Sequence, residues 1–354
     1  MDRRLYVHVG APKSGTTYLQ SRLLANRRAL QQHGLTYPLG PGRDPRVHYR
    51  AALDVVGRDH GLDGRVVDGA WPRLLRLVRR CRGDVVLGHE VLSSADAEQA
   101  ERVLADLAAT GSEVHVVMTA RDLARELAGG WQEMVKFGSR RSFAAYLERA
   151  RDGRLDFQRS FDPTRVLSNW GADLPSSRRH LVTAPPQGPA DVLWQRYLQA
   201  LGADASWAPA PAEQANASIG VPQARLLRRL NKRLGAETRR GGAYAPLVED
   251  VLVPALADRA APRISLGPDH HDWVARRTED WVRWLTDSGV TVHGDLEDLR
   301  PAPPDPDRLD PDGRMPDLVA TAALDAVEAL LDELRTRPRP LTSRVRSAVG
   351  RLRR

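Results

Sequence analysis

Residues 5–17 read LYVHVGAPKSGTT, an apolar run followed by a short loop that Gly10 and Gly15 enclose. A helical pattern follows the loop. A strand, a glycine-bounded loop and a helix in this order predict an anion-binding loop, because the loop amides and the helix N-terminus face one bound group. The glycine spacing matches a Walker A loop, but Thr16 stands where that motif requires lysine, and the lysine lies inside the loop at Lys13. The displaced lysine argues against ordinary ATP or GTP hydrolysis.

Strand-like and helix-like segments alternate over the first half of the chain. Short apolar runs typical of buried strands lie at Leu5–Val9, Gly34–Pro38, Asp84–Gly88, Glu113–Ala120 and Arg179–Thr183, the last strand that the pattern predicts. The alternation predicts right-handed crossovers and an α/β fold, a P-loop-type parallel sheet flanked by helices. Beyond Asp191 the pattern is mostly helical, and we expect this helical C-terminal half to close over the site.

The domain boundaries follow from composition. We predict one domain over residues 1–300, a linker rich in proline and aspartate over 301–316, and a helical segment with an Arg-rich tail over 317–354.

The net charge of +8 lies at the end of the chain. From Arg335 onward there are eight arginines and no acidic residue, so the body without this tail is nearly neutral. A nucleic-acid-binding domain carries its charge on the folded body, and we therefore predict no nucleic-acid partner. The tail from Leu341 to Arg354 has apolar residues near one helical face. It is either a peripheral membrane contact or a solvated tail.

The chain has one cysteine, Cys81, and no apolar run of membrane-spanning length. A single cysteine excludes an internal disulfide framework and suits a reducing compartment. The first strand starts at once, which leaves no room for a signal peptide. We expect a cytoplasmic protein.

The loop also carries a family resemblance. Residues Pro12 to Thr17, followed by Leu19-Gln20, closely resemble the 5′-phosphosulfate loop of sulfotransferases that use 3′-phosphoadenylyl sulfate (PAPS), and the bacterial branch most of all. The resemblance continues through 120–123 (ARDL) and 131–136 (WQEMVK), with weaker echoes at 216–218 and 226–231. It covers roughly Arg4 to Leu299.

The resemblance implies roles for the loop residues. Lys13 would stabilise the bridging oxygen as the S–O bond breaks. The backbone N–H groups of Ser14, Gly15, Thr16 and Thr17, with the two threonine hydroxyls and Pro12 shaping the loop, would hold the 5′-phosphate of PAPS. No metal is required. The alternative is that the loop is a turn capping a helix.

The end of the Asp84–Gly88 strand supplies candidate bases. Family members use a histidine or a glutamate at a comparable strand end, and this chain offers His89 and Glu90 side by side. Neighbours on a strand face opposite ways, so we expect one of them to point into the site, with Glu90 favoured. A glutamate base would need burial to raise its pKa. The alternative is a pair on the surface.

Arg121 matches the family arginine that grips the 3′-phosphate, and a cationic fork suits a dianion. The alternative is a local ion pair with Asp122. The family generally has a serine about two helical turns further on, where this chain has Gly129-Gly130. Lys136 or the segment Arg239-Arg240-Gly241 are candidate substitutes.

The resemblance implies a transferase: a PAPS-dependent sulfotransferase that acts on a small-molecule or glycan acceptor, such as a carbohydrate, a glycolipid or a secondary metabolite. His48, predicted to lie on a loop, is a further candidate to face that acceptor. One alternative is a P-loop small-molecule kinase, which would bind Mg-ATP and could use Glu90 as a metal-holding carboxylate. Another is a nucleotide-binding module without turnover, docked to a membrane by its tail.

Overall fold

The computed structural model describes residues 3–189, 191–212, 218–240, 244–257 and 259–336. The predictions for Asn216, Ala217, Gly241 and the Arg-rich tail fall outside these residues. The chain separates into two compact units. The first comprises Met1–Trp131, Ala144–Asn216 and Ser265–Asp307, and the second comprises Gln132–Phe143, Ala217–Ile264 and Arg308–Arg354.

The first unit is built on one parallel sheet. Its strands are β1 (Arg4–His8), β2 (Leu35–Thr36), β3 (Asp84–Gly88), β4 (Glu113–Ala120), β5 (Arg179–Thr183) and β6 (Thr291–His293). Their order is β2-β3-β1-β4-β5-β6, and neighbouring strands are parallel throughout. The predicted α/β class, with a parallel sheet flanked by helices, is confirmed. The prediction that β5 is the last strand is wrong, because β6 is a three-residue edge strand, too short to show a pattern.

The helices occupy most of the remaining chain. They are α1 (Thr16–Ala25), α2 (Arg27–Gln32), α3 (Val47–Val56), α4 (Gly64–Val67), α5 (Ala70–Arg80), α6 (Ala97–Ala108), α7 (Leu123–Lys136), α8 (Phe143–Arg151), α9 (Pro163–Gly171), α10 (Asp191–Ala200), α11 (Val221–Arg233), α12 (Ala236–Arg240), α13 (Tyr244–Pro246), α14 (Val253–Ala257), α15 (Pro268–Asp287) and α16 (Pro316–Thr336). Within the described ranges, none of these helices has both the length and the apolar character needed to cross a membrane.

Both faces of the sheet are covered, because successive strand residues point to opposite sides. On one face Leu5 and Val7 of β1 belong to a core completed by α3, α5, α6 and α9. On the other face Tyr6 belongs to a second core, completed by α1, α2 and α10. Burial on both faces explains why the sheet strands read as continuous apolar runs.

His48 lies in a helix and not on a loop. Residues 47–56 form α3, and His48 is 2% exposed and stacks on Tyr37 with ring centroids 4.4 Å apart. Its Nε2 lies 2.7 Å from the carbonyl oxygen of Pro38, and its Nδ1 accepts a hydrogen bond from the amide of Gly88 at 3.4 Å. The expectation that His48 faces an acceptor is therefore wrong. The ring is part of the core.

The second unit is helical. The side-chain amide of Asn231 in α11 donates to the carbonyl oxygens of Val135 at 2.8 Å and Ser139 at 3.0 Å. The amide of Val221 at the start of α11 donates to the carbonyl oxygen of Pro262 at 2.9 Å. Helix α16 packs on α11 and α14. These contacts hold the helices of the unit around a core that includes Val248.

Burial of His48 makes the stability of the first unit depend on pH. Burial lowers the pKa of His48 to about 4, whereas the unfolded chain protonates this histidine near pH 6.5. The contribution of His48 to the free energy of unfolding is therefore fully present above pH 6.5. It falls by roughly 3 kcal/mol as the pH drops towards 4. We expect His48→Gln to be less stable than wild type at pH 7.5 but to lose less stability on acidification, as measured by urea unfolding at each pH.

The matched control for this measurement is His33→Gln, which changes an exposed histidine. Its acid sensitivity should equal that of wild type. Equal acid sensitivity of wild type and His48→Gln would contradict the neutral, buried state of His48.

Candidate functional site

The candidate site lies where three neighbouring strands end. The chain leaves β1 for β2 and β3 on one side of the sheet, and it then crosses to β4, β5 and β6 on the other side. Ligands of open α/β sheets bind beyond the carboxyl ends of the strands at such a switch point. The segments that follow β1, β3 and β4 begin here, and they carry the Gly10–Thr17 loop, the His89-Glu90 pair and Arg121.

The loop after β1 is attached to β4 through Thr119. The amide of Ala11 donates to the carbonyl oxygen of Thr119 at 2.7 Å, and the Thr119 hydroxyl donates to the carbonyl oxygen of Gly10 at 3.0 Å. Within the loop, the Ser14 hydroxyl donates to the carbonyl oxygen of Ala11 at 2.6 Å. Ser14 is 1% exposed, and its amide donates to the same Ala11 carbonyl oxygen at 3.4 Å, so Ser14 shapes the loop from inside.

Helix α1 begins without a side-chain cap. Its N-cap is Gly15, with φ +98°, and the amide of Leu19 bonds back to the Gly15 carbonyl oxygen at 3.0 Å. The N–H groups of the first turn, from Thr16 onward, point out of the helix end, where the helix dipole also favours an anion. Thr16 is buried and Thr17 is exposed. The left-handed backbone of residue 15 favours glycine, and a Cβ there would overlap Cδ2 of Leu193.

Lys13 and Arg121 converge on one point of α7. Lys13 is half-buried and has φ +65°, a left-handed conformation that a residue with a side chain rarely adopts. Such conformations cost about 1–3 kcal/mol and cluster at functional sites. A Cβ on Gly129 would lie 3.6 Å from Cγ of Lys13 and 3.0 Å from Nη2 of Arg121. The residue that replaces the expected serine therefore lies beside both cations.

Arg121 is not paired with Asp122. The Nη2 of Arg121 donates to the carbonyl oxygen of Arg125 at 2.6 Å, whereas the Asp122 carboxylate forms an ion pair with the Arg125 side chain and accepts from its amide. The buried Nε of Arg121 has no hydrogen-bond partner among the described residues. The local ion pair considered from the sequence does not form, and part of the guanidinium is left for a ligand.

Glu126 is a member of the site that the sequence did not reveal. Its side chain is fully buried, and within the described part of the chain neither carboxylate oxygen has a hydrogen-bond partner. Burial raises the pKa of Glu126 well above its usual range, although the charge of Arg121 opposes this effect. Burial therefore favours the protonated form of Glu126 beside Arg121. A glutamate in an amphipathic helix reads as a surface residue, so no sequence signal pointed to it.

Glu90 and His89 lie together and not on opposite sides. The strand ends at Gly88, and a 3₁₀ turn over Glu90–Ser94 replaces the alternation that was expected to separate them. Nδ1 of His89 lies 3.5 Å from Oε2 of Glu90. The same Nδ1 accepts a hydrogen bond from the amide of Val91 at 3.3 Å, which requires it to be unprotonated. Burial lowers the pKa of His89 and agrees with a neutral ring.

Gln20 holds the Glu90 carboxylate. This α1 residue donates from Nε2 to Oε2 of Glu90 at 2.9 Å. Burial by itself raises the pKa of Glu90, but His89, the amide of Glu90 and Gln20 together outweigh burial, and the pKa is lowered. The raised pKa that a glutamate base would need is therefore not observed. The carboxylate is ionised at neutral pH, and its lowered pKa makes it a weaker proton acceptor than a base tuned near neutrality.

Two of the suggested substitutes for the missing serine belong to the second unit. Lys136 lies 3.7 Å from Oε2 of Glu133, and Arg239 donates to the carbonyl oxygen of Gly138 at 3.3 Å. Neither contact involves Lys13 or Arg121.

A scan of family models and searches of curated proteins and of solved structures found no match to this chain. The chemistry of the site therefore rests on the geometry described above.

The neutral state of Glu126 can be tested through stability. The folded protein keeps this carboxyl protonated at pH values where the unfolded chain ionises it, above about 4.3. Wild type therefore loses stability as the pH rises, and Glu126→Gln does not. We expect the free energy of unfolding of the variant to exceed that of wild type at pH 8 in urea unfolding, with the difference shrinking towards pH 4.

Glu98→Gln, at an exposed position of α6, is the matched control and should show no such trend. A Glu126→Gln variant that is less stable than wild type at pH 8 would show that the carboxylate is charged and paired.

Proposed function

We propose that the chain is a PAPS-dependent sulfotransferase, which moves a sulfuryl group to a hydroxyl or amine of an acceptor. The observation that carries the proposal is the convergence of Lys13 and Arg121 on Gly129, beside the Gly10–Thr17 loop and the start of α1, which has no side-chain cap. A nucleotide with a 5′-phosphosulfate and a 3′-phosphate needs two separate cationic groups and an amide cradle.

The cradle fits the 5′-phosphate of this donor. Gly15 leaves the start of α1 without a side-chain cap, so the first-turn amides and the threonine hydroxyls can surround phosphate oxygens. Because Ser14 and Thr119 fix the loop from inside, the amides are oriented before a ligand arrives. Oriented dipoles of this kind stabilise charge that develops in a transition state.

The two cations take different roles in the proposal. PAPS supplies an activated sulfuryl group whose bridging S–O bond is broken by the reaction. Lys13 is a compact ammonium in the loop and offsets the negative charge that develops on the bridging oxygen. Arg121 holds the 3′-phosphate with its planar fork. The raised pKa of Glu126 supports this role, because a protonated carboxyl does not compete with the dianion for the Arg121 guanidinium.

Glu90 is the proposed general base, with Gln20 as its positioning residue. The acceptor oxygen forms a bond to sulfur, the bridging S–O bond breaks, and the bridging oxygen leaves with the electron pair on adenosine 3′,5′-bisphosphate. The acceptor proton passes to the ionised carboxylate of Glu90. His89 remains the second candidate base, although its Nδ1 already accepts a hydrogen bond from Val91.

The nucleotide part of the proposal is tested by calorimetric titration with adenosine 3′,5′-bisphosphate in the absence of metal. We expect wild type to bind and Arg121→Ala to lose ~1.5–3 kcal/mol of binding free energy, as for a charged hydrogen bond. Adenosine 5′-monophosphate, which lacks the 3′-phosphate, is the control ligand, and its affinity should change little in Arg121→Ala. Lys13→Ala should weaken the binding of both nucleotides.

Binding of Mg-ATP without binding of adenosine 3′,5′-bisphosphate would contradict the proposal and favour a P-loop small-molecule kinase. Binding of the bisphosphate without transfer to any member of a broad acceptor panel would favour a nucleotide-binding module.

The role of Glu90 is tested by turnover. We expect Glu90→Gln to bind adenosine 3′,5′-bisphosphate as wild type does and to lose turnover by about 10²–10⁴-fold, the usual contribution of a general base. The measurement is single-turnover transfer from PAPS to an acceptor found by panel screening, with His89→Gln assayed in parallel. Unchanged turnover in Glu90→Gln, with a large loss in His89→Gln, would assign the base to His89.

A further inference from the structure

The second unit contains a cavity with strongly basic walls. Its volume is about 510 Å³, and five of its lining side chains are cationic: Arg225, Arg228, Arg229, Lys232 and Arg314. The first four lie at positions i, i+3, i+4 and i+7 of α11, so they share one helical face. Met315, Pro316 and Val319 line the rest of the cavity. No acidic residue is among its lining residues.

Nearby carboxylates neutralise a small part of this charge. Asp312 lies 2.9 Å from Nη2 of Arg228 and 3.8 Å from Nη1 of Arg225. Asp317, in the first turn of α16, is exposed and does not line the cavity. Across the described ranges, no carboxylate forms an ion pair with Arg229, Lys232 or Arg314. Like charges this close repel one another unless an anion lies between them.

The buried side chain of Arg228 is a second, independent indication that the cavity binds an anion. Its side chain is 5% exposed, and its Nε has no hydrogen-bond partner in the described part of the second unit. A buried guanidinium with an unsatisfied donor is costly, and such groups are normally paired or bound to a ligand. Burial lowers the pKa of Arg228, and the charges of Asp312 and Asp310 oppose this effect, so the protein supplies a part of the required negative charge.

The end of a long helix adds to the positive field. The N-terminus of α16, a helix of 21 residues, forms the wall opposite α11 at Met315 and Pro316. The N-terminal end of a helix carries a partial positive charge and favours anions. We propose that this cavity is a binding site for a small ligand that carries two or more phosphate or sulfate groups. The site goes beyond the proposed transfer reaction and does not depend on it.

The ligand class follows from the chemistry of the walls. Guanidinium forks pair with tetrahedral oxyanions through two parallel hydrogen bonds, and four arginines can serve more than one such group. The volume exceeds what a single phosphate fills, and the basic face of α11 extends over two helical turns. Phosphate groups on a free small molecule and on a lipid headgroup offer the same chemistry.

The test is calorimetric titration of the full chain with inorganic tripolyphosphate. We expect saturable binding to wild type that weakens with salt, and a loss of about tenfold or more in Arg229→Glu/Lys232→Glu. Both residues are exposed, so the fold should survive, and circular dichroism checks it. Arg314→Glu, on the opposite wall, should weaken binding as well. The control is Arg233→Glu/Arg276→Glu, which makes the same change of charge at exposed positions outside the cavity.

The Gly10–Thr17 loop could bind the same probe, so Lys13→Ala is titrated in parallel. Binding that survives Lys13→Ala and is lost in Arg229→Glu/Lys232→Glu supports the cavity. The reverse pattern, or an equal loss in the control variant, overturns the proposal whether or not the chain is a sulfotransferase. Phosphatidylcholine vesicles that contain a phosphoinositide replace tripolyphosphate in a second arm, and tighter, variant-sensitive binding there identifies a headgroup as the source.

Discussion

The attachment of the Gly10–Thr17 loop to Thr119 is the constraint on which the candidate site depends. A loop that presents amides to an anion has little reason to hold one shape by itself, because its N–H groups point outward and repel one another's partial charges. The hydroxyl of Thr119 and the backbone of β4 fix Gly10 and Ala11, and Ser14 closes the turn. The loop is thus rigid because it belongs to the sheet.

The two glutamates of the site differ in protonation, and this difference gives them different roles. Glu126 and Glu90 are both glutamates near a strand end, yet their pKa values move in opposite directions. Burial of Glu126 outweighs the opposing charge of Arg121, so the pKa of Glu126 is raised and its protonated form is favoured. Glu90 receives a hydrogen bond from Gln20 and lies beside His89, so it is ionised. The same residue type is therefore an uncharged neighbour of Arg121 when protonated, at Glu126, and a candidate base at Glu90.

Much of the fold could be predicted from the sequence, and the failures share one physical cause. Buried strands can be recognised as apolar runs, and β3, β4 and β5 begin and end where the sequence pattern placed them. Short or irregular elements do not: β6 has three residues, and α3 follows a turn-rich segment that made His48 look exposed. The alternation that was expected to separate His89 from Glu90 fails because β3 ends at Gly88, before either residue, and a 3₁₀ turn follows.

The sequence by itself determined the chemistry of the loop: two glycines, a displaced lysine and two threonines behind an apolar strand. Local order along the chain is enough for that, because the strand, loop and helix are consecutive. The tertiary structure alone decided which distant residues join them. Sheet order brings Arg121 to Lys13 at Gly129, burial raises the pKa of Glu126, and packing of α16 on α11 forms the basic cavity. The burial of a side chain and its distance from residues far along the chain depend on the folded structure. Neither can be predicted from the spacing of residues in the sequence.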